Sequence, residues 1–102
     1  MAKKNKTMPL VHPGETLRED SLKPLGLTAS RLAIELQVPV TRVNDVVRGR
    51  RAITVDTALR LSRYFGTTPQ FWMNLQANYD LEVVEDARGS EIADRIKPHR
   101  VA

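Results

Sequence analysis

The fold of this chain is decided by residues 27–65, which read LTASRLAIELQVPVTRVNDVVRGRRAITVDTALRLSRYF. Thr28 offers a side-chain oxygen that can cap a helix, and the apolar residues after it recur at helical spacing as far as Leu36. Residues 37–39 interrupt this pattern, and residues 40–48 then carry three valines on one face and polar side chains on the others. Two short helices joined by a tight turn, the second with a polar outer face, predict a helix-turn-helix, the motif that places a helix in the major groove of DNA.

A first helix is predicted ahead of this motif and a loop behind it. Pro13 suits the first position of a helix, and Leu17 and Leu22 would face inward from it. Gly49 follows the second helix of the motif, where a left-handed residue commonly ends a helix. The loop after Gly49 is rich in arginine.

Two further helices complete the predicted architecture. The fourth follows a cap at Thr54 and presents an inward stripe of Val55, Ala58, Leu59, Ser62 and Phe65. The fifth starts at Pro69, after a cap at Thr68, and is expected to end near Val83. No stretch alternates apolar and polar residues as a strand does. The chain is therefore predicted to be all-α with five helices.

The fifth helix is unusually rich in large apolar side chains. Phe71, Trp72, Leu75 and Tyr79 recur at helical spacing. Such a stripe is usually core, and for Phe71 and Leu75 the core alternative is equally acceptable. Because four short helices nearly close a small core, the surplus apolar face predicts a two-fold interface made by these four residues.

The positive charge of the chain is concentrated in one segment. The net charge is +4 over 102 residues, and residues 40–63 alone carry six arginines against two aspartates. Clustered cations of this kind neutralise DNA phosphates. Residues 1–11, with three lysines, are interpreted as a disordered arm, residues 12–83 as the DNA-binding and dimerisation domain, and residues 84–102 as a polar tail.

Composition argues against several other classes. The chain has no cysteine, which removes disulfides and thiolate metal sites, and no apolar run of membrane-spanning length. The two histidines lie near opposite ends of the chain without a partner at metal-ligand spacing, and no glycine-rich phosphate loop is present. We expect a cytoplasmic protein that is not an enzyme, holds no metal or cofactor and does not bind membranes.

The expected DNA contacts divide into two groups. Residues near the start of the second motif helix should approach base edges, because that is the part of a recognition helix that enters the groove: Val40, Thr41, Arg42, Asn44 and Asp45. Asp45 is also placed to orient Arg42 or Arg48. The residues that flank the groove are interpreted as phosphate contacts: Thr28, Arg48, Arg50 and Arg51.

Several motifs in this order resemble the HigA-type antitoxins, a branch of the lambda-repressor-like XRE group. The similarity covers residues 12–81 and rests on HPGE at 12–15, LKPLGLT at 22–28, RGRRAIT at 48–54 and FWMNLQANYDL at 71–81. Two positions depart from the family pattern. Gln37 stands where a glycine is common in the turn, so the turn must take a less relaxed backbone or a different shape, and Val40 stands where a polar or basic residue is frequent.

The resemblance implies a five-helix, lambda-repressor-like domain that dimerises through its C-terminal helix. It implies a bacterial antitoxin that binds double-stranded operator DNA, represses its own operon and neutralises a HigB-type toxin, an mRNA-cleaving ribonuclease of the RelE fold. It does not indicate which surface binds the toxin. A stand-alone XRE-family transcriptional regulator without a toxin is the alternative, and an interaction module that has lost DNA binding is disfavoured by the arginine cluster.

Overall fold

The computed structural model describes residues 10–100, which form five helices joined by short loops. Helix α1 is continuous through three segments, Pro13–Thr16, a wider π-helical segment Leu17–Leu22, and Lys23–Leu25. The other four helices are α2 (Ala29–Leu36), α3 (Val40–Val47), α4 (Val55–Phe65) and α5 (Pro69–Arg95). Within the described range there is no strand, so the predicted all-α fold with five helices is confirmed.

Three threonines cap the helices at which the sequence predicted caps. The hydroxyl oxygens of Thr28, Thr54 and Thr68 accept hydrogen bonds from backbone amides three residues later, over 3.0, 3.3 and 3.1 Å. Each bond satisfies one of the free amides at a helix start. Gly49 lies just after the C-terminal end of α3 and has a φ of 77°, the left-handed conformation predicted for it.

Of the two alternatives left open for the turn between α2 and α3, the structure shows the less relaxed backbone and not a different shape. Gln37 has a φ of 59° and a ψ of 47°, a left-handed conformation that non-glycine residues rarely adopt. The next amide, that of Val38, donates to the carbonyl of Ala33 over 3.0 Å and closes the end of α2. The turn therefore keeps its shape without a glycine, at a conformational cost of about 1–3 kcal/mol.

The core is a single apolar cluster to which all five helices contribute. Its buried members include Leu17 and Leu22 from α1, as predicted. The remaining members are Leu32, Ala33, Leu36, Val43, Val46, Ile53, Ala58, Leu61 and Trp72. These residues hold α2 and α3 against α1 and α4, and so fix the face that α3 presents to solvent.

The predicted inward stripe of α4 is partly wrong. Val55 and Leu59 are 61% and 53% exposed, whereas Leu61 is fully buried and Thr57 is nearly so. Ala58, Leu61 and Ser62 stand at spacings of three and four residues, which defines the face that packs on the core. Leu59 lies about 100° from Ala58 around the helix and therefore points away from that face.

Helix α5 is longer than the sequence predicted. It continues to Arg95 instead of ending near Val83. Because no proline or left-handed glycine interrupts residues 84–95, and Glu91 pairs with Arg88 and Arg95 at helical spacing over 3.4 and 3.7 Å, nothing stops the helix. The first part of the predicted polar tail is thus helical. Residues 1–9 of the predicted arm lie outside the described residues.

Candidate nucleic-acid interface

Helix α3, the recognition helix of the motif, shows one buried and one exposed face. Val43 and Val46 are buried in the core. Thr41 is exposed and Asn44 half-buried, and both lie on the side of the helix opposite the two valines. Val40 is exposed at the start of the helix, so the face towards solvent is polar except for this one apolar residue.

The predicted phosphate contacts surround this surface. Arg48, Arg50 and Arg51 are exposed around the left-handed Gly49. Thr28 is exposed at the start of α2, which packs directly against α3. A helix start and three guanidinium groups beside the outer face of α3 make a surface suited to anionic oxygens.

Asp45 has a different partner from the ones that the sequence suggested. Its Oδ2 accepts a hydrogen bond from Nη2 of Arg51 over 3.2 Å, and its backbone carbonyl accepts one from the amide of Arg50 over 2.7 Å. The expectation that Asp45 orients Arg42 or Arg48 is therefore wrong. The tight bend at Gly49 brings Arg50 and Arg51 back along α3. Asp45 therefore holds the loop of residues 50–53, the arginine loop, against the recognition helix.

Arg42 is the base-reading candidate whose position differs most from the prediction. It lies beside the buried valine face, half-buried, and its Nη1 donates to Oδ2 of Asp56 over 2.5 Å. The same oxygen accepts a hydrogen bond from Nε of Arg60 over 3.0 Å. These two hydrogen bonds lower the pKa of Asp56 below its usual value. The guanidinium of Arg42 therefore points towards α4 and not along the outer face of α3.

The predicted dimer interface is wrong at Trp72, which lies in the core. It is 1% exposed, and its Nε1 donates to the hydroxyl of Thr67 over 2.7 Å. A side chain inside the core cannot also contact a second copy. Phe71, which is 43% exposed, packs edge-on against Trp72 with ring centroids 5.0 Å apart. Trp72 is thus core. Leu75 also packs partly against the core and Tyr79 is half-buried beside His12, so Phe71 is the most exposed of the four residues.

Two polar residues that were not predicted to have a role in the site link its parts to α1 and α5. His12 caps α1, because its Nδ1 accepts a hydrogen bond from the amide of Gly14 over 2.8 Å, and its ring packs on Tyr79 at 4.9 Å. Partial burial lowers the pKa of His12, against the opposing charge of Asp80. A lowered pKa favours the neutral ring, in which Nδ1 can accept the capping hydrogen bond.

The second of these residues is Gln76, which is buried in α5. Its side-chain oxygen accepts from the amide of Ile53 over 2.8 Å, and its side-chain nitrogen donates to Asp80 over 2.9 Å. Gln76 thereby attaches the end of the arginine loop to α5. The sequence places Gln76 on the same face of α5 as Trp72, four residues later, but only the tertiary structure shows that this face is buried.

Comparisons with known proteins agree with this geometry. The sequence profile of the helix-turn-helix family HTH_3 matches residues 19–72. Virulence-associated protein I of Dichelobacter nodosus is 54% identical over 83 residues, which are 81% of this chain and 77% of the relative. Antitoxin HigA-1 of Vibrio cholerae is 34% identical over 96 residues, 94% of this chain and 89% of that protein.

Similarity extends to a solved structure. The Pseudomonas aeruginosa antitoxin HigA, determined with the higBA promoter, superposes with a TM-score of 0.87 at 43% identity, covering 90% of this chain and 100% of the other. The family consists of DNA-binding proteins and not of enzymes, in agreement with the prediction. No helix within residues 10–100 is long and apolar enough to cross a membrane. The chain belongs to the helix-turn-helix family of DNA-binding proteins and, within it, to the HigA-type antitoxins.

Proposed function

We propose that this chain binds double-stranded operator DNA as a homodimer, represses its own operon and neutralises a HigB-type mRNA-cleaving toxin. The observation that supports DNA binding is the outer face of α3, on which Thr41 and Asn44 lie beside the exposed arginines of residues 48–51. A polar helix face flanked by cations combines base reading with phosphate binding. The solved relative that carries a promoter supports the same assignment.

The proposed base contacts follow from the exposed positions of α3. Asn44 is suited to adenine, which it can contact through two hydrogen bonds, and Val40 or Thr41 to the methyl group of thymine. Asp45 can accept a hydrogen bond from cytosine, although it already holds Arg51. Arg42 would have to leave Asp56 before it could reach a guanine. Thr28, Arg48, Arg50 and Arg51 are proposed to contact phosphates.

Dimerisation is proposed because one recognition helix reads only a few base pairs. Two copies related by a two-fold axis can place their recognition helices about 34 Å apart and read a palindrome. With Trp72 in the core, the contact is proposed to centre on the exposed Phe71 and to include the accessible parts of Leu75 and Tyr79, which are half-buried.

Replacing Arg48, Arg50 and Arg51 together by alanine should weaken binding to every DNA sequence. Each lost phosphate contact removes roughly one unit from the slope of log affinity against log salt concentration. The slope for the triple variant should therefore be smaller by roughly three units. Titrations of operator and random duplexes at several salt concentrations measure this slope. Removal of Arg88 and Arg95, which are exposed on the distal part of α5, is the control and should leave the slope nearly unchanged.

Asn44→Ala is the converse variant. It should reduce the preference for operator over random DNA by about 1–3 kcal/mol while the salt slope stays that of the wild type, because a base contact and not a phosphate contact is lost. An equal loss of affinity for both duplexes would remove Asn44 from the reading surface.

Toxin neutralisation is tested with the small basic reading frame expected next to this gene. Its expression alone, from an inducible promoter without an operator, should arrest growth, and co-expression of this chain should restore growth by direct binding. The triple arginine variant should restore growth equally, since repression plays no part in this design. A harmless neighbouring product, or a toxic one that this chain does not counteract, would favour the stand-alone regulator.

A further inference from the structure

Asp56 connects three parts of the helix-turn-helix that are separate in sequence. It lies in the first turn of α4, and one of its carboxylate oxygens accepts hydrogen bonds from Arg42 on α3 and from Arg60 one turn further along α4. The guanidinium groups of both arginines are thereby held by the same carboxylate oxygen of Asp56. Asp56 is not among the predicted DNA contacts, and it is an acidic residue within the most basic segment of the chain.

Arg60 extends this network to the turn of the motif. Its Nη1 donates to the carbonyl of Leu36 over 2.8 Å and to that of Gln37 over 3.4 Å. Gln37 is the residue with the left-handed backbone. The end of α2 and the strained turn are therefore linked, through the guanidinium of Arg60, to the same carboxylate that holds the recognition helix.

Arg42 connects the network to the core as well as to α4. Its side chain borders the narrow apolar space enclosed by α1, α2, α3 and α4, together with Val38, Val43 and Leu61. The guanidinium of Arg42 is held by Asp56 at the edge of this space, so the pair links α3 to a helix that it otherwise approaches little. Isolated surface ion pairs contribute little to stability, so the value of this arrangement lies in the geometry that it imposes.

We propose that Asp56 is a positioning residue for operator recognition, which sets the orientation of α3 by holding Arg42 and, through Arg60, the turn. The pair of Asp56 and Arg42 stays closed on DNA, so that Thr41 and Asn44 read bases and Arg42 does not. This inference rests on the proposed function, since it concerns how the same surface discriminates between sequences.

Asp56→Asn is the variant that tests this role. It keeps the size of the side chain and raises the net charge by one, so affinity for random DNA should rise. Because α3 loses its orientation, the ratio of operator affinity to random-DNA affinity should fall by about tenfold, comparable to the effect of one mismatched base pair. Binding is measured on the full chain with a duplex from its own promoter region and a scrambled duplex of equal length.

Glu35→Gln is the matched control. Glu35 lies on α2 near Asp56 and pairs with Arg31 over 2.7 Å, a contact that does not involve α3. Its replacement raises the net charge equally, so both affinities should rise together and their ratio should stay constant. An unchanged ratio in Asp56→Asn as well would overturn the inference, and so would a parallel loss of both affinities with a lower unfolding temperature.

Arg42→Gln separates positioning from direct reading. If Asp56 acts through Arg42, each single variant lowers the ratio and the double variant lowers it no further. If Arg42 reads a base, its replacement alone lowers the ratio and Asp56→Asn does not, which contradicts the inference. Failure of the proposed function would look different, because the wild-type protein itself would then bind operator and random DNA equally.

Discussion

Phe71→Glu should convert the protein to a monomer and lower its affinity for a palindromic operator by about 10²–10⁴-fold, since the second recognition helix is no longer linked to the first. Phe71 is large and exposed on α5. If it lies near the two-fold axis, a glutamate in its place faces the same glutamate of the second copy, and the two negative charges repel each other. The change leaves the helix start intact. The hydroxyl of Thr68 already accepts a hydrogen bond from the amide of residue 71, and a glutamate at position 71 completes a capping box with Thr68.

The matched control for this variant is Leu81→Glu. Leu81 is 59% exposed on the same helix, outside the proposed interface, so its replacement should change neither mass nor affinity. Sedimentation reports the mass, which should approach the 11.5 kDa of one chain only for Phe71→Glu. If Leu81→Glu dissociates the dimer instead, the interface lies on the other face of α5. A wild-type protein that is monomeric at micromolar concentration would contradict dimerisation itself.

Gly14→Ala should be the most destabilising small substitution in the domain. A Cβ atom on Gly14 would lie 1.7 Å from the carbonyl oxygen of Val46 in the recognition helix and 2.7 Å from its carbonyl carbon. Backbone cannot yield as a flexible side chain can, so α1 and α3 must separate. We expect a loss of about 3 kcal/mol, the upper part of the usual range for overpacking. The unfolding temperature should fall by roughly 12–24 °C.

Gly89→Ala provides a control of opposite sign. Gly89 lies within α5, and an added Cβ would meet only the Cβ of Glu85 at 3.9 Å. Because alanine favours a helix over glycine, this variant should gain about 0.5–1 kcal/mol. Thermal unfolding followed by circular dichroism measures both. A Gly14→Ala protein as stable as the wild type would show that α1 does not pack closely on α3 in solution.

Local signals in the sequence were sufficient for the architecture. The three threonine caps and the left-handed Gly49 were predicted, because each depends on residues within a few positions of one another. At Gln37 the comparison with the family pattern left open a less relaxed backbone or a different shape, and the structure shows the first. The length of α5 was not, since the polar composition after Val83 was mistaken for a helix end although no residue there breaks a helix.

The helix-turn-helix and its basic surroundings were therefore determined by the sequence itself, through periodicity, caps and charge. Tertiary structure alone decided which face of α5 is core, so that Trp72 is buried and Phe71 exposed, and which arginines are held, so that Arg42 pairs with Asp56. The close approach of α1 to the carbonyl of Val46 also explains why residue 14 is a glycine. These features depend on contacts between helices far apart in the chain, and a pattern read along one helix carries no information about the surface it will meet.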